Sequence, residues 1–405
     1  MEAMIAKKSF LESQFENYLA KLEEPDWITK LRKQAFQLLE KASFPNTRLE
    51  SWRKINLSNF SLETLLSVEQ KIATYSINTD EILSNEFSNL ENGDQVYVEK
   101  TFLNLLERNK NNYFALLNMS FFDIGIFSKV PKNSSIETAI QLNINFPKEE
   151  KSFLPLIFWK IESNTNTQIY ETINSIPAED FNLINPLSNI ELEENAKVSF
   201  LSIEDFQTST FHFRNNFTNQ GKFSELKFFH FYLNGYKGKT LINHDLSGEG
   251  ANLLSLGAAT LNKREMQDIE FNISHLSSRT DSELKMKVVV KDKAHHIFTG
   301  NLLIPKTSLH VTASQINNNL TMSRTARAES MPKLEVFADD VKCSHGATVG
   351  EVNEDQLFYL MSRGLTENEA RFLIIEGFLK EILDTVGKEE IQNFLVDRFT
   401  QKIYS

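Results

Sequence analysis

Hydrophobic positions along this chain follow a helical period at both ends and a strand period in the middle. Leu11, Phe15, Tyr18, Leu19 and Leu22 recur at helical spacing, and Ile28, Leu31, Ala35 and Leu38 repeat the pattern after Pro25, which predicts two amphipathic helices. The stretch 44–53 breaks the helix, and 57–99 is mixed and polar with no assignable period. From Tyr113 onward apolar pieces are parted by Asp123, Gly125 and Pro131, and regular β-structure is expected to begin there. Between about 121 and 341 come short apolar or alternating runs, among them 156–161, 196–203, 223–233, 286–290 and 297–304. Many short strands argue for a sandwich, a barrel or a solenoid; periodicity does not choose among them, and no strict internal repeat is visible. Toward the end Thr366 and Glu369 have capping-box spacing. Phe372, Ile375, Leu379, Ile382 and Val386 then mark one helix, and Ile391, Leu395, Phe399 and Ile403 another. The run 372–375 covers more than one narrow stripe, so two partners are expected to share it.

The chemistry concentrates in 332–364. Leu334, Val336 and Ala338 alternate with Lys333, Glu335 and Phe337 as in a strand with one buried face. Asp339 and Asp340 interrupt it, an extended reading resumes over 341–345, and Gly346 and Gly350 punctuate the exit before Asn353 caps a helix starting at Glu354. Cys343, the only cysteine, stands two residues before His345, so both side chains project from one face of a strand. Two ligands do not close a tetrahedral metal site, so any metal centre here borrows further ligands from another chain or is held only transiently. From the residues alone, a buried inert thiol and a structural imidazole are the plainer reading. Neighbouring aspartates on a strand face opposite ways, which favours a turn or interface hydrogen bonds over a shared proton. His295 and His296 likewise point apart, and His212, His230, His244, His275 and His310 lack ligand spacing. Trp52 reads as a packing anchor.

Composition narrows the class. The 405 residues are 41% hydrophobic and 24% charged, ordinary for a globular chain, and the net charge of -11 with pI near 5.4 argues against nucleic acid. One cysteine excludes an internal disulfide framework; the first residues lack the apolar core of a signal peptide, and no apolar run approaches the roughly 20 residues of a membrane span. A cytoplasmic protein, not membrane-embedded, is expected. Glycine is scarce at 14 residues, so asparagine is expected to fill left-handed turn positions. No GxxxxGK[ST] loop, GxGxxG turn or GxSxG elbow is present.

The run LEVFADDVKCSHGATVG (334–350), followed by EDQLFYLMSRGL (354–365), resembles the C-terminal signature of the SufD family, subunits of the Suf iron-sulfur cluster assembly complex. The Arg-x-Glu-x-Trp order at Arg48, Glu50 and Trp52 is similar to the family's N-terminal segment, and 113–133, 248–261, 297–305 and 312–330 resemble its central domain. The resemblance implies a mainly β chain: a right-handed parallel β-helix with α-helical N-terminal and C-terminal regions, divided 1–112, 113–345 and 346–405. It would place Asn317, Asn318 and Asn319 near a coil turn. It also implies a scaffold without catalytic residues that pairs with a SufB-like paralogue and binds a SufC-like ABC ATPase on its C-terminal helices, with Leu357, Tyr359, Leu360 and Arg363 as exposed contacts. His345 would be a ligand of a nascent cluster shared transiently with SufB, and Cys343 an interface thiol of lesser weight. Asp339 and Asp340 would lie at the SufB interface or in a turn, and no cofactor would be held stably by this chain alone. The rival readings are a SufB-like paralogue, disfavoured because the sole thiol lies in the KCSHG motif, a saccharide-active β-helix, and a binding solenoid without a metal role.

Overall fold

The computed structural model describes residues 2–57, 59–66, 74–146, 150–174 and 180–404. Helices α1 (Glu2–Leu19), α2 (Asp26–Leu39), α3 (Leu62–Leu65), α4 (Asn92–Arg108) and α5 (Tyr113–Phe121) precede the main β-region, with strands β1 (Thr74–Ile77) and β2 (Leu83–Glu86) among them. Then follow β3 (Ile124–Val130), β4 (Ile140–Asn145), β5 (Ser152–Phe153), β6 (Pro155–Ile161), β7 (Asn166–Asn174), β8 (Asn182–Ile184), β9 (Leu187–Leu192) and β10 (Lys197–Asp205). The succession continues with β11 (Thr210–Gln220), β12 (Glu225–Asn234), β13 (Lys237–Leu246), β14 (Asn252–Leu261), β15 (Met266–His275) and β16 (Asp281–Val290). The last strands are β17 (His295–Ile304), β18 (Val311–Thr321), β19 (Arg327–Val336) and β20 (Val341–Glu351), before α6 (Glu354–Ser362), α7 (Glu367–Thr385) and α8 (Glu389–Tyr404).

From β10 onward the chain alternates between two parallel sheets, one ordered β1-β4-β7-β10-β12-β14-β16-β18-β20 and the other β19-β17-β15-β13-β11-β9-β6-β3-β2. Each coil lays one strand on each sheet, so Lys197, Glu225, Asn252, Asp281, Thr312 and Lys342 stand in one column. This is the right-handed parallel β-helix that the resemblance implied. The antiparallel strands β1 and β2 close one end, whereas β19 and β20 end the other with unpaired edges among the described residues.

Both faces of most strands are buried, which is why the sequence shows apolar runs as often as clean alternation. In β10, Val198 and Phe200 enter the solenoid interior, while Leu201 and Ile203 pack outward under the C-terminal helices with Ile375, Leu379 and Ile382. The N-terminal helices cover the other sheet through an aromatic layer in which Phe114 stacks on Phe213 with ring centroids 3.6 Å apart, a pairing worth about 0.5–1.5 kcal/mol beyond the area it buries. Ile28, Leu31 and Ala35 of α2 are buried as their spacing predicted, and Thr366 and Glu369 form the capping box reciprocally at 3.3 and 2.8 Å. The side chain of Ile403 lies outside the described residues.

Three expectations are corrected. The segment from Tyr113 opens as helix α5, capped by the Asn112 side chain accepting from the Ala115 amide at 3.2 Å, and the strand starts only at Ile124. Gly346 and Gly350 do not punctuate an exit, because β20 pairs with β18 through both of them. Asn317, Asn318 and Asn319 lie inside β18 instead of at a turn: the amide of Asn319 donates to Asn317 Oδ1 at 2.7 Å and to the Thr348 carbonyl at 3.1 Å, tying adjacent coils. Asparagine does fill left-handed positions at Asn133, Asn164 and Asn195, whose side-chain amides link in sequence at 2.9 and 3.1 Å. Phe223, Lys263, Arg279, Asp292 and His310 also adopt positive φ.

Candidate functional site

The terminal coil carries the residues singled out in sequence. β19 leaves the solenoid at Val336, the chain bends through Asp339 and Asp340, and β20 returns on the opposite sheet. The bend is held to the preceding coil: the His310 amide donates to the Asp340 carbonyl at 2.8 Å, and His310 Nδ1 lies 2.7 Å from Asp340 Oδ2. Asp340 therefore has a turn-forming contact, through its backbone and through an exposed pair of little energetic weight.

In β20, Cys343 stands opposite Ala313 and His345 opposite Gln315 of β18. Ala313 and Gln315 are buried, and the Gln315 amide donates to the Gly300 carbonyl at 3.3 Å across the interior. Cys343 and His345 continue those inward rows, as residues two apart on a strand should. With no further coil above them among the described residues, their surroundings differ from those of their partners. Cys343 is half-buried against the interior apolar cluster, and that burial raises its thiol pKa, so the thiol is the resting form. His345 is exposed. Around them the terminal coil also exposes Phe337 and Val349, at 61% and 54%. An open β-edge with apolar side chains beside it is a template for pairing with another chain.

Among the described residues no three His, Cys, Asp or Glu side chains converge on a point that could hold a metal ion. His295 and His296 do point apart: His295 Nε2 meets Glu329 Oε1 at 2.8 Å on the outer face, whereas His296 is sealed inside and its pKa is pushed down to about 3 by burial.

On α6 the expected exposed set divides. Leu357 is buried and Leu360 packs against the same cluster, which gathers the helices α7 and α8 and the outer face of the sheet; neither is the exposed contact the resemblance suggested. Tyr359 and Arg363 do face outward, with Arg363 Nη2 donating to Tyr359 Oη at 3.2 Å and its guanidinium 5.1 Å from the ring centroid. Sequence reasoning missed Phe358, at 74% the most exposed large apolar residue among those described, which with Met361 extends the outward face. Its signal was available: Phe358 falls one residue past Leu357, out of phase with the stripe that the helix buries.

Also missed was an ionic cluster inside the solenoid. Arg214 pairs with Glu171 through Nη2 and lies 3.5 Å from Glu204 through Nε; Glu204 is in turn 3.9 Å from His230, and all four side chains are buried. Burial, followed by the opposing Arg214 charge, leaves the Glu204 pKa raised to about 7. The sequence signal was a charge at inward parity: Glu204 follows Val198 and Phe200 at even spacing.

Residues 146–378 match the family model described as SUF system FeS cluster assembly, SufBD core domain. The iron-sulfur cluster assembly SufBD family protein of Synechocystis is 29% identical over 298 residues, covering 70% of this chain and 65% of that protein. SufD of Escherichia coli is 32% identical over 170 residues, 41% of this chain and 40% of that protein, and SufD of Bacillus subtilis is 23% identical over 98% of this chain and 99% of that protein. The matches thus span less than two thirds of the Synechocystis and E. coli relatives and nearly all of the B. subtilis one. With the core-domain model covering more than half of the sequence, and a two-sheet solenoid occupying the matched region, the chain belongs to the SufBD core-domain family of SUF-system iron-sulfur cluster assembly proteins.

Proposed function

We propose that this chain is a non-catalytic, cytoplasmic scaffold subunit of the SufD kind, on which a nascent iron-sulfur cluster is assembled jointly with a SufB-like paralogue. The carrying observation is the placement of His345: exposed, on the final strand of an open solenoid end, with Cys343 in the neighbouring inward row. An imidazole there has room to bind an incoming iron, and a cluster needs more ligands than this coil offers. A partner whose own solenoid end abuts β19 and β20 would cover Phe337 and Val349 and complete the ligand set. The cluster is cargo, held between subunits and passed on. Cys343 is secondary, since its thiol must first lose its proton against the burial that raises its pKa.

A SufC-like ABC ATPase would dock on the exposed face of α6, through Phe358, Tyr359, Met361 and Arg363. Its nucleotide-driven movement would reach the solenoid through α7 and α8, which pack on the sheet ending in β20.

Co-expression with the SufB-like and SufC-like proteins of the same genome, followed by mass determination, tests the assembly, and cluster reconstitution on wild type and His345→Ala tests the site. A stoichiometric complex that loses at least about tenfold in reconstitution rate, roughly 1.4 kcal/mol, is expected. An intact complex with undiminished reconstitution would return His345 to a structural role, and no complex would sink the scaffold reading.

A further inference from the structure

Beneath His345 the inward row changes character as it nears the open end. The column runs Ser255, Leu284, Gln315, His345 from β14 to β20, one residue per coil. Leu284 is sealed in the apolar interior, whereas Gln315, one coil higher and only 3% exposed, places a primary amide directly under the last strand. A buried amide costs free energy unless its donor and its acceptor are both answered.

The donor is answered. Gln315 Nε2 donates to the Gly300 carbonyl at 3.3 Å, and because a carbonyl only accepts, this contact identifies the other amide atom as the acceptor Oε1. Oε1 rests close over Gly300: a Cβ added there would lie 2.7 Å from it, so the glycine is what lets the amide reach across to the opposite sheet. Oε1 itself has no hydrogen-bond partner among the described residues. The next inward amide, Asn317, is satisfied at both atoms, its Nδ2 donating to the Met286 carbonyl at 3.3 Å and its Oδ1 accepting from Asn319 at 2.7 Å. Asn319 Oδ1 lacks a partner but is sealed from solvent, whereas Gln315 Oε1 is not sealed. The coil of β16 and β17 lies below Gln315 and the two sheets flank it, so this acceptor is reached from the open end, on the side of His345.

Parallel strands lie about 4.8 Å apart, so a ring on β20 in the same column stands within reach of that oxygen. The exposed His345 ring forms no hydrogen bond with it in this structure and is free to turn about χ1 and χ2. A metal-bound imidazole uses one nitrogen as ligand and carries its proton on the other, and the acceptor of that N–H fixes the tautomer and the angle of the ring. We propose that Gln315 is the positioning residue of the terminal-coil site: when His345 binds iron through one ring nitrogen, the other donates its N–H to Gln315 Oε1, with Gly300 holding the amide in place. This inference rests on the reading of His345 as a cluster ligand.

The test uses the full-length chain in complex with its SufB-like and SufC-like partners, loaded by reconstitution, and follows the release of iron to a strong chelator. Gln315→Leu removes the acceptor, and Gln315→Glu keeps an oxygen in its place. Iron release about tenfold faster than wild type is expected for Gln315→Leu, with Gln315→Glu closer to wild type. In a His345→Ala background Gln315→Leu should add nothing further, since a positioning residue acts only through the ring it positions. If Gln315→Leu fails to assemble, Gly300→Ala carries the same expectation, because its Cβ displaces Oε1 while leaving the amide intact. Release at the wild-type rate from these variants while His345→Ala releases faster, or a full Gln315→Leu effect in the absence of the ring, overturns the inference and leaves His345 as a ligand. Equal release from wild type and His345→Ala removes the ligand reading, and the inference with it.

Discussion

The histidines of the sealed coils and the histidine of the last coil share a side chain and an inward register, yet the fold gives them opposite chemistry. His244 is buried and shared between Thr218 Oγ1 at 2.7 Å and Ser255 Oγ at 3.2 Å; His275 lies between Thr280 at 2.7 Å and Ser282 at 2.8 Å. Burial pushes the pKa down to about 3 for His212, His244 and His296 and to about 4 for His275, and His230 is likewise driven well below its ordinary value. These rings are neutral polar spacers. His345 occupies the row of Gln315 and Leu284, but among the described residues no coil closes over it. Depth in the solenoid, more than residue type, separates a structural imidazole from one available to a ligand.

The largest effect that would test this contrast is on pH. A histidine whose folded pKa lies near 3 or 4 and whose unfolded pKa is about 6.5 gives stability that is present above pH 6.5 and lost as pH falls toward the folded value. Each of His212, His244, His275 and His296 should cost about 1.4 kcal/mol between pH 7.5 and 5.5. Glu204 acts in the other sense. Its folded pKa, raised to about 7, favours the folded state below the unfolded value, and that advantage is lost as pH rises through 7. Acidification over this range therefore returns about 2 kcal/mol from Glu204, and a net loss of several kcal/mol in urea-unfolding free energy is expected. A flat profile would mean that the interior histidines are protonated in place, and the contrast with His345 would collapse.

Arg214→Ala comes next. It leaves Glu171 and Glu204 buried without their cation, and about 3–5 kcal/mol of destabilisation is expected from denaturant midpoints. The loss should shrink at pH 5.5, where Glu204 takes up a proton; a pH-independent loss would show that packing, not charge, was removed. Gly238→Ala follows at about 1–3 kcal/mol, since an added Cβ would sit 2.2 Å from the His212 ring. The same change on the terminal coil, Gly346→Ala, meets only Ile316 at 4.0 Å and should be nearly neutral. If both glycines tolerate alanine equally, the sealed and open coils are not packed differently.

How much of this was legible in sequence depends on the link concerned. Strand runs such as 196–203 and the capping box at Thr366 are local signals and could be read directly. The solenoid could not be, because partners step by unequal intervals: Glu225 pairs with Asn252, Asp281 with Thr312. Unequal steps hide a repeat while preserving the ladder. Charges at inward parity, Glu204 and Arg214, were visible as anomalies but not as a pair, since their contact crosses between sheets. The buried side of α6 was misread at Leu357 and Leu360 because a helix with apolar residues on more than one face does not declare which face is covered. Likewise the KCSHG residues identify a family resemblance, but only the topology shows that β20 is an outer edge and leaves His345 uncovered.

The smallest stability effect is the most discriminating for function. His345→Gln replaces an exposed ring on an edge strand by a side chain of similar reach, and unfolding free energy should change by no more than about 0.5 kcal/mol. His244→Gln, at the same inward parity but inside, leaves Thr218 and Ser255 to find new partners around a differently shaped side chain and should cost about 1–3 kcal/mol. Measured side by side in urea at pH 7.5, the two variants separate a ring retained for the fold from one the fold does not need. Should His345→Gln prove as damaging as His244→Gln, the ring would have a packing role, and its place at the open end would no longer require a ligand to explain it.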